Sequence, residues 1–286
     1  MLIVLVSLAV CVLVVAALVS LMFVDVAFQK TLPTGLPVQG ARNWRPPLVL
    51  GRRLREWASQ VAEANATRKI RDRRDAVAVL EMVGELHAGA TLAIEQPWQK
   101  FQPDAAVGCP GHHHSMTAVT APEAILAVEY LRQQHPEQVG QVRETARENL
   151  RLTAGMGQAQ YRAAAVRCPL LSSGNACLAY GVRPLRCRAG CDLSDERKDS
   201  CGECGSTNGQ APVDAAEFES RGQLVTEGAE VGFSRALEAA GLDGQLYDLN
   251  IALLTALDTP HAAESWVQGE RIFDNCRTFA LSTNRV

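Results

Sequence analysis

An unbroken apolar run opens the chain. Leu2 through Val24 is 23 residues without a charge, and Ser7 and Ser20 are its only polar positions. As a helix it spans roughly 34 Å at about 1.5 Å per residue, longer than the roughly 30 Å hydrocarbon core of a bilayer. A cleaved leader carries Lys or Arg ahead of a shorter apolar region. Residues 1–24 are therefore expected to be an uncleaved transmembrane anchor, in contact with lipid through residues 2–24. Lys30, Arg42, Arg45, Arg52, Arg53 and Arg55 all follow the run and none precedes it. The positive-inside rule then predicts a single-pass membrane protein with its C-terminal domain in the cytoplasm.

Residues 25–50 carry Pro33, Gly35, Pro37, Gly40, Pro46 and Pro47 and are read as a linker. Residues 51–104 form a helical region. Within it, 51–95 is expected as one proline-free helical stretch in which Val79, Val83 and Leu86 recur at helical spacing. Between Arg52 and Asp75 stand eight basic and four acidic residues, read as a solvated face with ion pairs ahead of the alternative, a basic patch near anionic lipid heads. Thr120-Ala-Pro-Glu123 matches a capping box, and Ala124, Val128 and Leu131 line one side of the helix that follows. Val139, Val142, Ala146 and Leu150 mark another helix. From Arg167 to Gly209 the helical signal stops, and it resumes near Asp214. Leu246, Leu249, Leu253, Leu254 and Leu257 form a further stripe. Thr259-Pro260 reads as the N-cap and first turn of a last helix to about Glu270. The expected fold is mostly α: an N-terminal transmembrane helix, then a helical domain with a loop-rich Cys/His metal-binding segment at 105–209 and a C-terminal helical region at 210–286.

Composition narrows the function. Hydrophobic residues make up 47% of the 286, enough for a core. The 31 acidic and 28 basic residues nearly balance, so no nucleic-acid partner is expected. Nine cysteines are present, seven of them between 109 and 204. In a reducing compartment such clustering points to metal rather than disulfides. Three groups stand out: Cys109-Pro-Gly-His112-His113-His114; then Cys168, Cys177 and Cys187; then Cys191 with Cys201-Gly-Glu-Cys204. Thiolate and imidazole donors suit zinc and iron, and thiolates suit iron–sulfur clusters. Cys109/His112 and Cys201/Cys204 have the two-residue gap that lets both side chains meet one ion.

The segment Arg167-Cys168-Pro-Leu-Leu, Cys177-Leu-Ala-Tyr180, Arg183-Pro184-Leu-Arg-Cys187-Arg188 resembles the second half of the YkgJ-like cysteine-cluster family, described as a zinc- or iron-chelating domain. The first half departs from that family, with His112 and His113 where cysteines are usual. The resemblance spans about residues 105–275, and the stretch from Tyr247 to Phe273 is similar to the tails of some members. It implies metal binding through Cys109, His112, His113, Cys168, Cys177, Cys187 and Cys191. Cys201 and Cys204 would be a secondary metal-binding or structural pair, and His114, Arg183 and Arg188 neighbours of the centre. Imidazoles in place of thiolates make a site less negative, which raises a cluster's potential or brings the site closer to ordinary zinc coordination.

Cys11 and Cys276 are read as apolar or buried residues, and Tyr180 as core. His87 and His135 are read as ordinary helix histidines, and His261 as local to the last helix. No dinucleotide or phosphate loop, haem motif, zinc-hydrolase motif or nucleophile elbow is present. The expected function is a membrane-anchored metal-binding protein, with zinc or an iron–sulfur cluster as cofactor. The alternatives are an iron–sulfur oxidoreductase or electron-transfer protein, the only enzyme class the residues suggest, and a disulfide-stapled extracytoplasmic domain.

Overall fold

The computed structural model describes residue 44 and residues 51–95, 117–157, 160–161, 164, 166–174, 176–188, 215–276 and 278–279. The chain divides into residues 1–37 and 38–286, and every described residue belongs to the second unit. The apolar run at 2–24 lies outside the described residues.

Seven α-helices are present among the described residues: α1 (Arg52–Asp72), α2 (Ala76–Glu95), α3 (Ala121–Gln134), α4 (Val139–Leu152), α5 (Ala215–Ala239), α6 (Leu249–Asp258) and α7 (Ala262–Val267). The mostly helical expectation holds. The stretch 51–95, however, is two helices rather than one. Arg73 is extended (φ −157°, ψ 125°) and ends α1. Asp75 restarts the helix: its Oδ1 accepts from the Ala78 amide at 2.9 Å and its carbonyl from the Val79 amide at 3.1 Å. An N-cap aspartate breaks a helical stretch here without help from proline.

α1 packs along α5 through small residues. Leu54, Ala58, Ser59, Ala62 and Ala66 form the buried face of α1. Opposite them stand Val225, Gly228, Ala229, Gly232 and Ala236. A Cβ on Gly232 would lie 1.9 Å from the Ser59 carbonyl oxygen, and one on Gly228 2.2 Å from that of Arg55. Only glycine lets the two backbones approach this closely.

Ala76–Ile94 of α2 is the one described helix long and apolar enough to cross a membrane. Here it is the central helix of the folded unit. Val79, Met82, Val83, Leu86, Ala90, Ala93 and Ile94 are buried against α1, α3, α5 and α7. Its surface side also pairs Glu85 with Lys69 of α1 at 2.7 Å.

A small antiparallel sheet, absent from the sequence-based expectation, runs in the order β1 (Ala118–Thr120), β2 (Leu246–Asp248), β3 (Thr278–Phe279). Ala118 faces Asp248 and Thr120 faces Leu246. Such short strands carry too few residues to display a period of two. Leu246, expected on the leucine stripe of a helix, is in β2. Each of the first two strands runs directly into a helix. Thr120 caps α3 with the expected capping box, and Asp248 caps α6 by accepting from the Asn250 amide. The last helix begins two residues later than Thr259-Pro260 suggests. Thr259 instead ends α6, and His261, in the left-handed region at φ 53°, precedes Ala262.

Residues 166–188 contain no α-helix among those described, as expected. The described part of this loop region is packed into the folded unit. Leu170, Leu171, Leu178, Ala179, Val182 and Leu185 are all buried, and all but Leu171 join the main core. Leu171 pairs with Cys177 in a short antiparallel bridge, reinforced by Leu178 N–H to the Leu170 carbonyl at 2.8 Å and Ser172 N–H to the Ala176 carbonyl at 2.9 Å. Two 3-10 turns follow, Tyr180–Val182 and Leu185–Arg188.

Candidate functional site

The cysteine-bearing segment 167–188 is irregular, and buried polar groups of the surrounding helices fix it along its length. At its start, Asn149 of α4 donates to the Arg167 carbonyl at 2.7 Å, next to Cys168. The same amide group donates to Asn250 Oδ1 at 2.8 Å. Asn250 in turn donates to the Tyr161 hydroxyl at 2.8 Å and to Asp248 Oδ1 at 3.1 Å. Asn149 lies three residues after Ala146 and seven after Val142, so α4 carries it on its buried stripe.

At the other end, Glu123 holds the turn that contains Cys187. The capping box places this carboxylate at the first turn of α3, where it is 1% exposed. Oε2 accepts from the Thr120 amide and hydroxyl, both at 2.9 Å. Oε1 accepts from the Leu185 amide at 2.7 Å and from His87 Nε2 at 3.0 Å. Burial would push the Glu123 carboxyl up. Hydrogen bonds from His87, Leu185 and Thr120 outweigh it and hold the group below its ordinary range. Burial, with help from the charges of Arg188 and Arg183, takes His87 down to about 4 against the opposing pull of Glu123. At neutral pH the pair is thus a carboxylate and a neutral imidazole whose Nε2 carries the proton.

The three arginines of Arg183-Pro-Leu-Arg186-Cys-Arg188 have different partners. Arg186 makes a two-pronged bond to Glu230 of α5, at 2.9 and 3.0 Å. Burial pushes Glu230 up to about 7 in spite of Arg186. Arg188 donates to the Arg183 carbonyl at 2.8 Å, to Thr91 Oγ1 at 2.8 Å and to the Gly181 carbonyl at 3.3 Å. Burial, and after it the charge on Arg183, lowers Arg188 to about 10, so it stays cationic at neutral pH. Arg183 lies over the ring of Tyr180, 4.5 Å from its centre. Tyr180 is 38% exposed and so belongs to the surface rather than the core.

Cys168, Cys177 and Cys187 are half-buried, and none is bonded to another described cysteine. Among the described residues no three His, Cys, Asp or Glu side chains gather as a metal ion would require. The three cysteines alone therefore do not make a centre. Cys109, His112, His113, His114, Cys191, Cys201 and Cys204 lie outside the described residues. The donor chemistry of Cys168, Cys177 and Cys187 fits zinc or iron, and all three sit on the anchored segment. Cys276 is buried, as expected, and shares a hydrogen bond with Thr255 Oγ1 at 3.2 Å. His135 ends α3 and His261 begins α7, both in local roles.

Sequence reasoning missed the part played by His87, Asn149 and Glu230, and saw only the capping half of Glu123. A signal for His87 was present. It stands four residues after Val83 and three before Ala90, on the buried face of α2, and a polar side chain there needs a partner. No family model matches the chain, and neither a curated protein nor a solved structure does.

Proposed function

We propose that the chain is a membrane-anchored metal-binding protein of the YkgJ-like cysteine-cluster type, holding zinc or an iron–sulfur cluster. The observation that supports this is the anchoring of segment 167–188. A fold rarely buries two carboxylates and an asparagine to hold an irregular stretch, because each buried charge costs several kcal/mol before its partners repay it. Here Asn149 and Glu123 fix backbone atoms within two residues of Cys168 and Cys187, and Glu230 holds the side chain of Arg186, next to Cys187. Fixed ligands are what a metal centre needs, since supporting hydrogen bonds set ligand orientation.

In this proposal Cys109, His112, His113, Cys168, Cys177, Cys187 and Cys191 supply the ligands, with Cys201 and Cys204 as a further pair. Arg183 and Arg188 offset the charge of the thiolates. Zinc would contribute folding free energy, and an iron–sulfur cluster would carry electrons. The run at 2–24 would tether the centre to the bilayer in a single pass, with the folded unit in the cytoplasm.

The test is metal analysis of the purified full chain with its absorption spectrum. Bound zinc in colourless protein, or iron with a visible band, supports the proposal. A chain without metal, whose accessible thiols are unchanged by a chelator, refutes it. Cys177→Ser should lose metal and stability while Cys276→Ser loses neither. Equal effects would overturn the ligand assignment.

A further inference from the structure

We propose that Arg183 and Arg188 together receive a phosphate group from outside the chain. The site stands apart from the metal-binding proposal above, because its protein part is complete among the described residues.

A guanidinium without an acceptor carries the idea. Arg183 is half-buried, and its Nε is buried with no hydrogen-bond partner among the described residues. The Tyr180 ring, 4.5 Å from the guanidinium carbon, attracts the charge but supplies no oxygen to its N–H groups. A buried donor left unpaired is costly, and more so on a charged group.

A second cation stands beside it. Among the charges acting on Arg188, that of Arg183 is the strongest, ahead of Glu123. Arg188 donates once from each nitrogen, to the Arg183 carbonyl, Thr91 Oγ1 and the Gly181 carbonyl, all neutral acceptors. Two of its five N–H groups remain. The nearby carboxylates are engaged elsewhere. Glu230 takes the fork of Arg186, and Glu123 receives four other donors. Two like charges are thus held together with no described carboxylate bonded to either.

Charge and shape narrow the ligand. A guanidinium fork matches the oxygens of carboxylate and phosphate. A carboxylate carries one negative charge, whereas a phosphate monoester carries about 1.5 to 2 at neutral pH, which suits two guanidiniums. The site is also preorganised. Arg183 has the extended backbone that a following proline favours (φ −54°, ψ 138°), Arg188 holds its carbonyl, and Glu123 holds the Leu185 amide. Tyr180 and Gly181 are exposed, so the turn is open to solvent. The phosphate can belong to a soluble phosphorylated ligand or to a lipid headgroup.

The experiment uses the full chain in detergent, in buffer free of phosphate. Inorganic phosphate is titrated by calorimetry into wild type, Arg183→Gln and Arg68→Gln, the last an exposed arginine of α1. Wild type should bind, and more weakly as salt rises. Arg183→Gln should bind at least about tenfold more weakly, as for one lost charge-assisted hydrogen bond, and Arg68→Gln should match wild type. A wild-type chain that takes up no phosphate, or Arg183→Gln with wild-type affinity, would overturn the site whatever metal the chain holds. Should Arg183→Gln fail to fold, the Arg183 Nε–H resonance of wild type decides the matter: a shift on adding phosphate supports the site, and an unchanged resonance overturns it. Vesicles containing phosphatidic acid or an equal charge of phosphatidylserine separate the two sources. Weaker phosphate binding with phosphatidic acid assigns the site to a lipid headgroup, and equal binding assigns it to a soluble ligand.

Discussion

Replacing Glu123 by Gln exchanges one oxygen for an NH₂ group and removes one charge, yet it should be among the most damaging conservative substitutions in the chain. The carboxylate receives four donors, from the Thr120 amide and hydroxyl, His87 and the Leu185 amide. An amide has one oxygen and one NH₂ group, so either orientation sets a donor against donors. With NH₂ toward Thr120, the hydroxyl can turn to accept but the backbone N–H cannot. With NH₂ toward His87, the imidazole can change tautomer but the Leu185 N–H loses its acceptor. Each case strands one buried backbone N–H, at about 1–3 kcal/mol, and the surviving bonds lose their charge assistance, roughly half their strength. Relief from burying a charge returns part of this. A net loss of about 3 kcal/mol follows from these terms. Urea unfolding of the metal-free full chain in detergent, followed by tryptophan emission, measures it, because Trp44 and Trp266 are buried. Glu137→Gln, exposed on the turn after α3, is the control and should leave the midpoint unchanged. A Glu123→Gln chain within about 1 kcal/mol of wild type would show that the carboxylate does not hold the turn.

The same pair predicts acid lability. Folded His87 titrates at about 4 against an ordinary 6.5, so the unfolded chain takes up a proton that the folded chain refuses. Stability is full above pH 6.5 and falls as pH drops toward 4, by roughly 3 kcal/mol. Glu123, held below its ordinary value, adds a loss in the same direction at still lower pH. Unfolding free energies of the chelator-treated chain at several pH values test this, and a flat profile between 6.5 and 4.5 would contradict the buried neutral imidazole. Gly232→Ala should force α1 and α5 apart, since its Cβ would overlap the Ser59 carbonyl oxygen. A loss of more than about 3 kcal/mol, or failure to fold, is expected, and a melting temperature equal to wild type would refute the close approach of the helices.

Much of the helical frame was legible because its signals are local. The capping box at Thr120 and Glu123 needs only four consecutive residues, and α4 shows its stripe through Val142 and Ala146. The break at Asp75 was missed because no proline or glycine marks it, only a single capping side chain. The sheet was missed because its pairing joins residues 118–120 to 246–248, far apart in the chain. The anchors of the cysteine segment failed to show for a related reason. Glu230, Asn149 and His87 look like solvated polar residues until their partners, 44, 18 and 36 positions away, are known. The arginines around Cys187 were noticed in sequence, but their division into an ion pair, a carbonyl clamp and a ring contact depends on the tertiary arrangement.

The spacing of those anchors orders events as the chain is made. The N-terminal part emerges first, and domains fold as units only when their pieces are present. Arg186 waits for Glu230, which leaves the ribosome 44 residues later, and Asn149 waits for Asn250 across 101. Throughout that interval Cys168, Cys177 and Cys187 are already synthesised and not yet fixed. In the metal-binding proposal, the newborn chain would thus carry these three thiols for a time before the side chains that fix their segment are all in place.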